Sequence, residues 1–180
     1  MPTDPVRTHW LYLLDQADEQ ARFRHAARLA EKAWMAGERV GVYCENEDQA
    51  LQVDDAFWHF RPDSFLPHGV ARTPDDDAFR DPVVLFWHPP RAQDWATLIV
   101  LGNRLPEDAH ACPRLALIAS AAPESVSQMR AYYRQLQAAG VTPQIVDLRA
   151  APGARKGASA PRAQQEASDS PPSDHRRTQR

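Results

Sequence analysis

The chain has 180 residues, of which 43% are hydrophobic, and it carries a formal net charge of −3 at pH 7. This length fits one folded domain plus a tail, and no apolar run approaches the roughly 20 residues of a membrane-spanning helix. The N-terminal residues show no apolar signal region, so the sequence predicts a cytoplasmic protein. The two cysteines, Cys44 and Cys112, lie far apart and outside any CxxC pattern, so neither a disulfide framework nor a zinc site is indicated.

The composition changes sharply near residue 150. Residues 151–180 contain no Val, Ile, Leu, Met, Phe, Trp, Tyr or Cys, and they are rich in Ala, Pro, Ser and Arg. Such a segment buries too little apolar surface to offset the entropy of ordering it, so we expect a disordered tail. The tail carries +3, which leaves −6 on the predicted domain at 1–150. An acidic domain is poorly suited to direct contact with a phosphate backbone, so any link to DNA is expected to be indirect.

Strand-like and helix-like segments alternate along the domain. Helical spacing and capping residues predict helices from Asp15 or Asp18 to Ala36, from Asn46 to about residue 60, and from Pro123 to Ala139. This alternation predicts a Rossmann-like α/β fold with an open, mostly parallel sheet and helices on both faces. Short apolar runs predict the strands, at 9–14, 39–44, 83–87, 97–101, 115–119 and 145–148.

No phosphate-binding loop accompanies this predicted fold. The seven glycines form neither GxGxxG nor GxxxxGK[ST], and the first strand leads into the acidic segment DQADE at 15–19. Those carboxylates would repel a phosphate at the start of the helix. The histidines are scattered without an HExxH, and the acidic triplet at 75–77 reads as a solvated loop. The sequence therefore indicates no active site, metal or cofactor, and the open alternative is a small α/β enzyme or nucleotide binder with an unrecognised site.

Large aromatic residues are concentrated within residues 51–69, LQVDDAFWHFRPDSFLPHG. The segment begins as an acidic amphipathic helix and runs into a short apolar turn at 65–68. Proline ends regular structure and removes a backbone donor, so rings close to Pro62 and Pro67 are hard to bury completely. The aromatic cluster is therefore either the rim of the core or a docking surface.

A second candidate surface lies on the last predicted helix. Arg130, Tyr133 and Arg134 stand at i, i+3 and i+4, so they are neighbours on one side of the helix. Two guanidinium groups beside a tyrosine suit a carboxylate with an adjacent apolar side chain. The alternative is a buried apolar stripe with solvated arginines next to it. That stripe would consist of Val126, Met129, Tyr133 and Leu136.

The order of elements, the segment GERVGVYCENEDQALQVDDAFWHFRPDSFLPH at 37–68 and the RAYYR helix at 130–134 together resemble the chi subunit of bacterial DNA polymerase III. The similarity covers about residues 9–148. The resemblance implies a non-catalytic adaptor with a Rossmann-like fold and no working nucleotide site. Residues 151–180 lie beyond the usual end of the family and inherit no role from it.

The resemblance also implies two partners. One is the acidic C-terminal tail of single-stranded-DNA-binding protein, whose site maps onto Arg130, Tyr133 and Arg134. A lysine that family members carry about a turn and a half before Arg130 falls here at Val126 or Ser127, and neither supplies that charge.

The other implied partner is the psi subunit, or another component of the clamp loader. Its site maps onto Phe65, with Leu66 and Pro67 as neighbours. Trp58 matches a family tryptophan close to these surfaces and is left unassigned between them, whereas Phe57 is expected to belong to the core.

Overall fold

The computed structural model describes residues 7–149, so the predicted tail at 151–180 lies outside the described residues. Within them, strands and helices alternate as the sequence predicts. Three short 3₁₀ helices, Asp77–Arg80, Ala92–Asp94 and Ala109–Ala111, lie in the connections. The strands and α-helices are β1 (Thr8–Leu13), α1 (Glu19–Met35), β2 (Val40–Tyr43), α2 (Glu47–His59), β3 (His68–Val70), β4 (Val83–Phe86), β5 (Thr97–Val100), β6 (Arg114–Ala119), α3 (Pro123–Ala138) and β7 (Gln144–Asp147).

The strands form a single parallel sheet in the order β3-β4-β2-β5-β6-β1-β7. β1 is therefore enclosed between β6 and β7, and the sheet has β3 at one edge and β7 at the other. The prediction of an open, mostly parallel α/β sheet is confirmed.

Local sequence signals explain where the helices begin and end. Asp18 caps α1 and Asn46 caps α2, each accepting a hydrogen bond from the backbone N–H three residues further on, at 2.7 and 2.9 Å. Pro123 occupies the first turn of α3. Gly37 and Gly140 follow α1 and α3 with φ of 79° and 81°, a conformation that glycine adopts without a Cβ penalty. Of the two acidic candidates for the first cap, Asp18 is the one used.

The core is divided by the sheet into two halves. α1 and α2 pack on one face, and α3 and the 3₁₀ segments pack on the other, so the predicted helices on both faces are confirmed. Successive residues of the inner strands contribute to opposite halves, as the pleat requires. In β6, for example, Ala116 and Ile118 belong to the first half, while Leu115 and Leu117 belong to the second.

One strand was missing from the prediction. Residues 65–68 were expected to form an apolar turn, but His68 begins β3, which pairs with Val83 of β4. β3 has three residues, His-Gly-Val, and is therefore too short to show an alternating pattern. Its pairing with β4, a tertiary contact, defines it as a strand.

Candidate functional site

A groove lies between α3 and the edge strand β7. It has a volume of about 660 Å³, and its walls carry Arg130, Tyr133 and Arg134 from α3 and Ile145 and Arg149 from the β7 side. The structure thus brings together all three residues predicted for the peptide site. The apolar floor comes from Leu11, Leu13, Val126 and Met129.

Packing of α3 against the sheet sets the orientation of this wall. The buried residues of the helix are Met129, Tyr132 and Leu136. The hydroxyl of Tyr132 donates a hydrogen bond of 2.9 Å to the carbonyl of Gly102, which fixes the rotation of the helix. Burial also raises the pKa of Tyr132, so this hydroxyl keeps its proton at neutral pH.

The buried stripe therefore differs from the alternative drawn from the sequence. Tyr132 takes the buried position that the pattern gave to Tyr133, and Val126 is only half-buried. Tyr133 lies at the border between core and solvent, where its hydroxyl accepts a hydrogen bond of 3.0 Å from Gln137 Nε2. One side of its ring faces the groove, so the side chain serves both the core and the candidate site.

The charges around the groove are predominantly positive. Among residues 7–149, neither Arg130 nor Arg134 forms an ion pair, and both side chains are exposed. Arg149 lies on the opposite wall and is paired with Asp147 at 2.7 Å. Guanidinium groups around an apolar floor suit a ligand that carries both carboxylates and a hydrophobic side chain.

Sequence reasoning did not find the β7 wall. Ile145 and Arg149 follow α3 in the chain, and only the pairing of β7 with β1 places them opposite the helix. Val126 and Ser127, the positions of the family lysine, also line the groove and bring no charge to it. The missing signal was the strand order, which residue spacing does not contain.

A second exposed surface lies at the end of α2 and in the turn that follows it. The side chains of Trp58 and Phe65 are 52% and 66% exposed, and their ring centroids are 6.0 Å apart. Leu51 is also exposed and lies two helical turns before Trp58, on the same side of α2. We call Leu51, Trp58 and Phe65 the aromatic surface.

Residues beneath the aromatic surface hold its rings in place. The His68 ring lies 5.0 Å from Trp58 and 5.4 Å from Phe57, which is buried in the core as expected. Its Nδ1 lies 2.6 Å from the Leu66 carbonyl oxygen, and its Nε2 lies 3.1 Å from Asp54 Oδ1. The His68 ring therefore packs between the turn and the end of α2.

The predicted partner residues divide between this surface and the core. Phe65 is exposed and Pro67 is half-buried, but Leu66 is only 2% exposed and packs in the core. Leu66 therefore supports the turn from below. Its assignment as a contact residue stays a prediction, and its side chain is buried when no partner is bound.

The crevice at the carboxyl ends of the strands, where doubly wound sheets bind ligands, contains an arginine of the chain itself. Arg22 donates hydrogen bonds to the carbonyls of Ile118 and Leu101, at 3.0 and 2.8 Å, and pairs with Glu19 at 2.7 Å. Glu124 also lines the crevice. A guanidinium already bonded in this way, with two carboxylates nearby, leaves little for a phosphate to bind.

Residues 7–149 offer neither a metal-binding cluster nor a membrane-spanning helix. No group of three or more His, Cys, Asp or Glu side chains could hold a metal ion there. Within the same residues, no helix has the length and apolar character needed to cross a bilayer.

These features define a Rossmann-like α/β protein whose usual ligand crevice carries an internally bonded arginine and two carboxylates. Comparison with known proteins then identifies the family. The family described as "DNA polymerase III chi subunit, HolC" matches residues 7–144, and the chain belongs to it.

Individual relatives agree with this assignment. The chain is similar to DNA polymerase III subunit chi of Haemophilus influenzae, with 28% identity over 136 residues that span 75% of this chain and 93% of the relative. It is similar to the Pseudomonas aeruginosa subunit at 43% identity over 60 residues, 33% of this chain and 42% of the relative. The Escherichia coli subunit matches at 42% identity over 43 residues, 24% of this chain and 29% of the relative. Two of these three matches thus span less than half of the relative's length.

The resemblance seen in the sequence is confirmed. The chain is a non-catalytic accessory subunit of the DNA polymerase III complex and serves DNA replication. The residues assigned to its partners remain predictions.

Proposed function

We propose that this subunit links the clamp loader to the acidic C-terminal tail of single-stranded-DNA-binding protein. The observation that supports this role most is the separation of two chemically different surfaces. The cationic groove lies at the β7 edge, and the aromatic surface lies near β3, at the other edge of the sheet. Six inter-strand spacings put these edges about 29 Å apart, which leaves room for two partners at once.

The groove suits an acidic peptide that ends in phenylalanine with a free carboxylate. Burial of the ring against the apolar floor contributes ~1.5–3 kcal/mol. A charge-assisted hydrogen bond to Arg130 or Arg134 contributes about as much, less where solvent screens it. After the cost of ordering a flexible tail, about −8 kcal/mol, a micromolar Kd, is the expected upper strength.

The peptide site is tested by titrating the full chain with a short acidic peptide that ends in phenylalanine. We expect saturable binding that weakens with salt and that Arg130→Ala reduces by about ten-fold, the scale of one charged hydrogen bond. A peptide with an amidated C-terminus should bind more weakly. Arg80→Ala is the matched control, because Arg80 is exposed and follows β3 at the far edge. Equal affinities for Arg130→Ala and Arg80→Ala would refute this site.

We propose that the aromatic surface binds psi or another clamp-loader component. Exposed aromatic side chains are typical anchors of protein interfaces. Asp54 and Asp55 share this side of α2, so the partner segment should place cationic residues beside an apolar group.

Co-purification with the clamp loader tests this second surface. Phe65→Ala should cost about 2 kcal/mol of binding free energy, the scale of an interface hot spot, and leave peptide affinity unchanged. Met35→Ala is the matched control, because Met35 is an apolar residue of α1 that is 76% exposed. If Phe65→Ala also abolished peptide binding, the two surfaces would not be separate and this assignment would be wrong.

A further inference from the structure

The rim of the groove carries an ion pair that resembles the contact expected for a bound carboxylate. Arg149 Nε lies 2.9 Å from Asp147 Oδ1, and Arg149 Nη2 lies 2.7 Å from Asp147 Oδ2. The backbone N–H of Arg149 also donates to Asp147 Oδ1, at 3.0 Å. Two parallel N–H···O bonds between a guanidinium and a carboxylate are the geometry by which arginine recognises free carboxylates.

The pair is positioned to interact with a ligand in the groove. Ile145 and Arg149 both line it, and strand alternation puts Asp147 on the same face of β7 as Ile145. Both partners of the pair are partly exposed, so a dissolved anion can reach them. The hydrogen bonds from Arg149 hold the pKa of Asp147 at about 2, so the carboxylate is ionised at neutral pH.

We propose that Asp147 is a built-in competitor for Arg149, and that a carboxylate of the bound acidic peptide displaces it. This inference rests on the proposed peptide site and deepens it. In the free protein Asp147 is paired with Arg149, the third arginine of the groove besides Arg130 and Arg134. On binding, a peptide carboxylate replaces Asp147 on Arg149, so the new contact is gained only by breaking an existing one.

This exchange sets both affinity and selectivity. A ligand that cannot present a carboxylate at Arg149 leaves the internal pair intact and also meets the negative charge of Asp147. A peptide with a suitably placed carboxylate gains a contact with Arg149, but breaking the Arg149–Asp147 pair offsets part of the binding free energy of that contact. The structure therefore assigns Arg149 as a further binding residue and Asp147 as the group that limits its contribution.

The test is a double-mutant cycle measured by titration with the same acidic peptide. Asp147→Asn should tighten binding about three-fold and Arg149→Ala should weaken it about three-fold, the scale of exposed ion pairs. In the Arg149→Ala background, Asp147→Asn should change affinity by less than about two-fold, because no guanidinium remains to be released. If Asp147 acted only by repulsion, its removal would tighten binding in both backgrounds, and the exchange would be refuted.

Asp77→Asn and Arg80→Ala form the matched control pair. Asp77 and Arg80 make an exposed ion pair after β3. Their substitutions change the net charge by the same amounts as Asp147→Asn and Arg149→Ala, so neither should alter peptide affinity. Thermal unfolding of each variant checks that the fold is retained. If the peptide binds in an Arg130-dependent way but Asp147→Asn leaves its affinity unchanged, this inference alone is overturned. If no peptide binding is seen at low salt, the proposed peptide site is overturned as well.

Discussion

Replacement of Arg22 with methionine tests how much this side chain contributes to the stability of the fold at the carboxyl ends of the strands. Its guanidinium donates hydrogen bonds to two backbone carbonyls, that of Leu101 directly after β5 and that of Ile118 in β6. The side chain is only 12% exposed. Methionine keeps most of the apolar stem and removes the donors, so the substitution isolates the polar contribution. The carbonyls then lose a charged partner in a poorly hydrated position.

The expected cost follows from these contacts. Hydrogen bonds from a charged donor contribute ~1.5–3 kcal/mol each. Gln49 Nε2 lies 3.5 Å from the Leu101 carbonyl and retains part of one contact, so the lower end applies. The ion pair with the half-exposed Glu19 adds little. We expect Arg22→Met to lower the free energy of unfolding by about 3 kcal/mol, which shifts the urea midpoint by about 1.5 M for a slope of roughly 2 kcal/mol/M.

Urea unfolding followed by circular dichroism measures this difference. Arg24→Met is the matched control, because Arg24 is half-exposed on α1 and lies 3.7 Å from its partner, Asp18. That variant should stay within about 0.5 kcal/mol of the parent protein. An equally small effect of Arg22→Met would refute the structural role of Arg22. Stabilisation of the parent protein by a nucleotide would show that the crevice binds one despite the bonded Arg22.

Three further predictions concern stability and reactivity. A Cβ at Gly41 would lie 2.6 Å from the Trp95 ring, so Gly41→Ala should cost about 2 kcal/mol and lower the Tm by roughly 6 °C in thermal unfolding; an unchanged Tm would contradict this packing. Burial lowers the pKa of His9 and His25. The two neutral side chains contribute stability that is complete above about pH 6.5, the pKa in the unfolded chain. It is lost as the pH falls through their lowered pKa values in the folded protein, so the Tm should be lower at pH 5 than at pH 7. His25→Gln should flatten that slope. The thiols of Cys44 and Cys112 are both buried, and burial raises the pKa of Cys44 to about 12. Thiol reagents should therefore react with them only after the protein is unfolded in urea. Rapid reaction of the folded protein would contradict this burial.

The elements that the sequence predicted well are those determined by local signals. Asp18 and Asn46 cap helices through bonds to residues three positions away, and Gly140 ends α3 through its own backbone conformation. Such signals need no knowledge of the rest of the fold. β3 carried none of them, because its three residues form a strand only when β4 lies beside them.

The candidate site was predictable on one wall only. Arg130, Tyr133 and Arg134 share a helical surface by spacing, which any helix in this register would produce. Arg149 joins them through the position of β7 beside β1, a contact between distant parts of the chain. Phe65 illustrates a different limit, because spacing did not distinguish its exposed side chain from that of the buried residue next to it.

The position of β1 has a consequence for synthesis of the chain. β1 is translated first, yet both of its neighbours, β6 and β7, are translated last. At about 5–20 residues per second, β6 emerges from the ribosome roughly 5–20 s after β1. During that interval β2, β4 and β5 can pair with one another, whereas β1 has no partner and β5 presents a free edge. Unpaired edges and apolar strands invite association with other chains, so the nascent protein is most exposed to aggregation immediately before its C-terminal third appears.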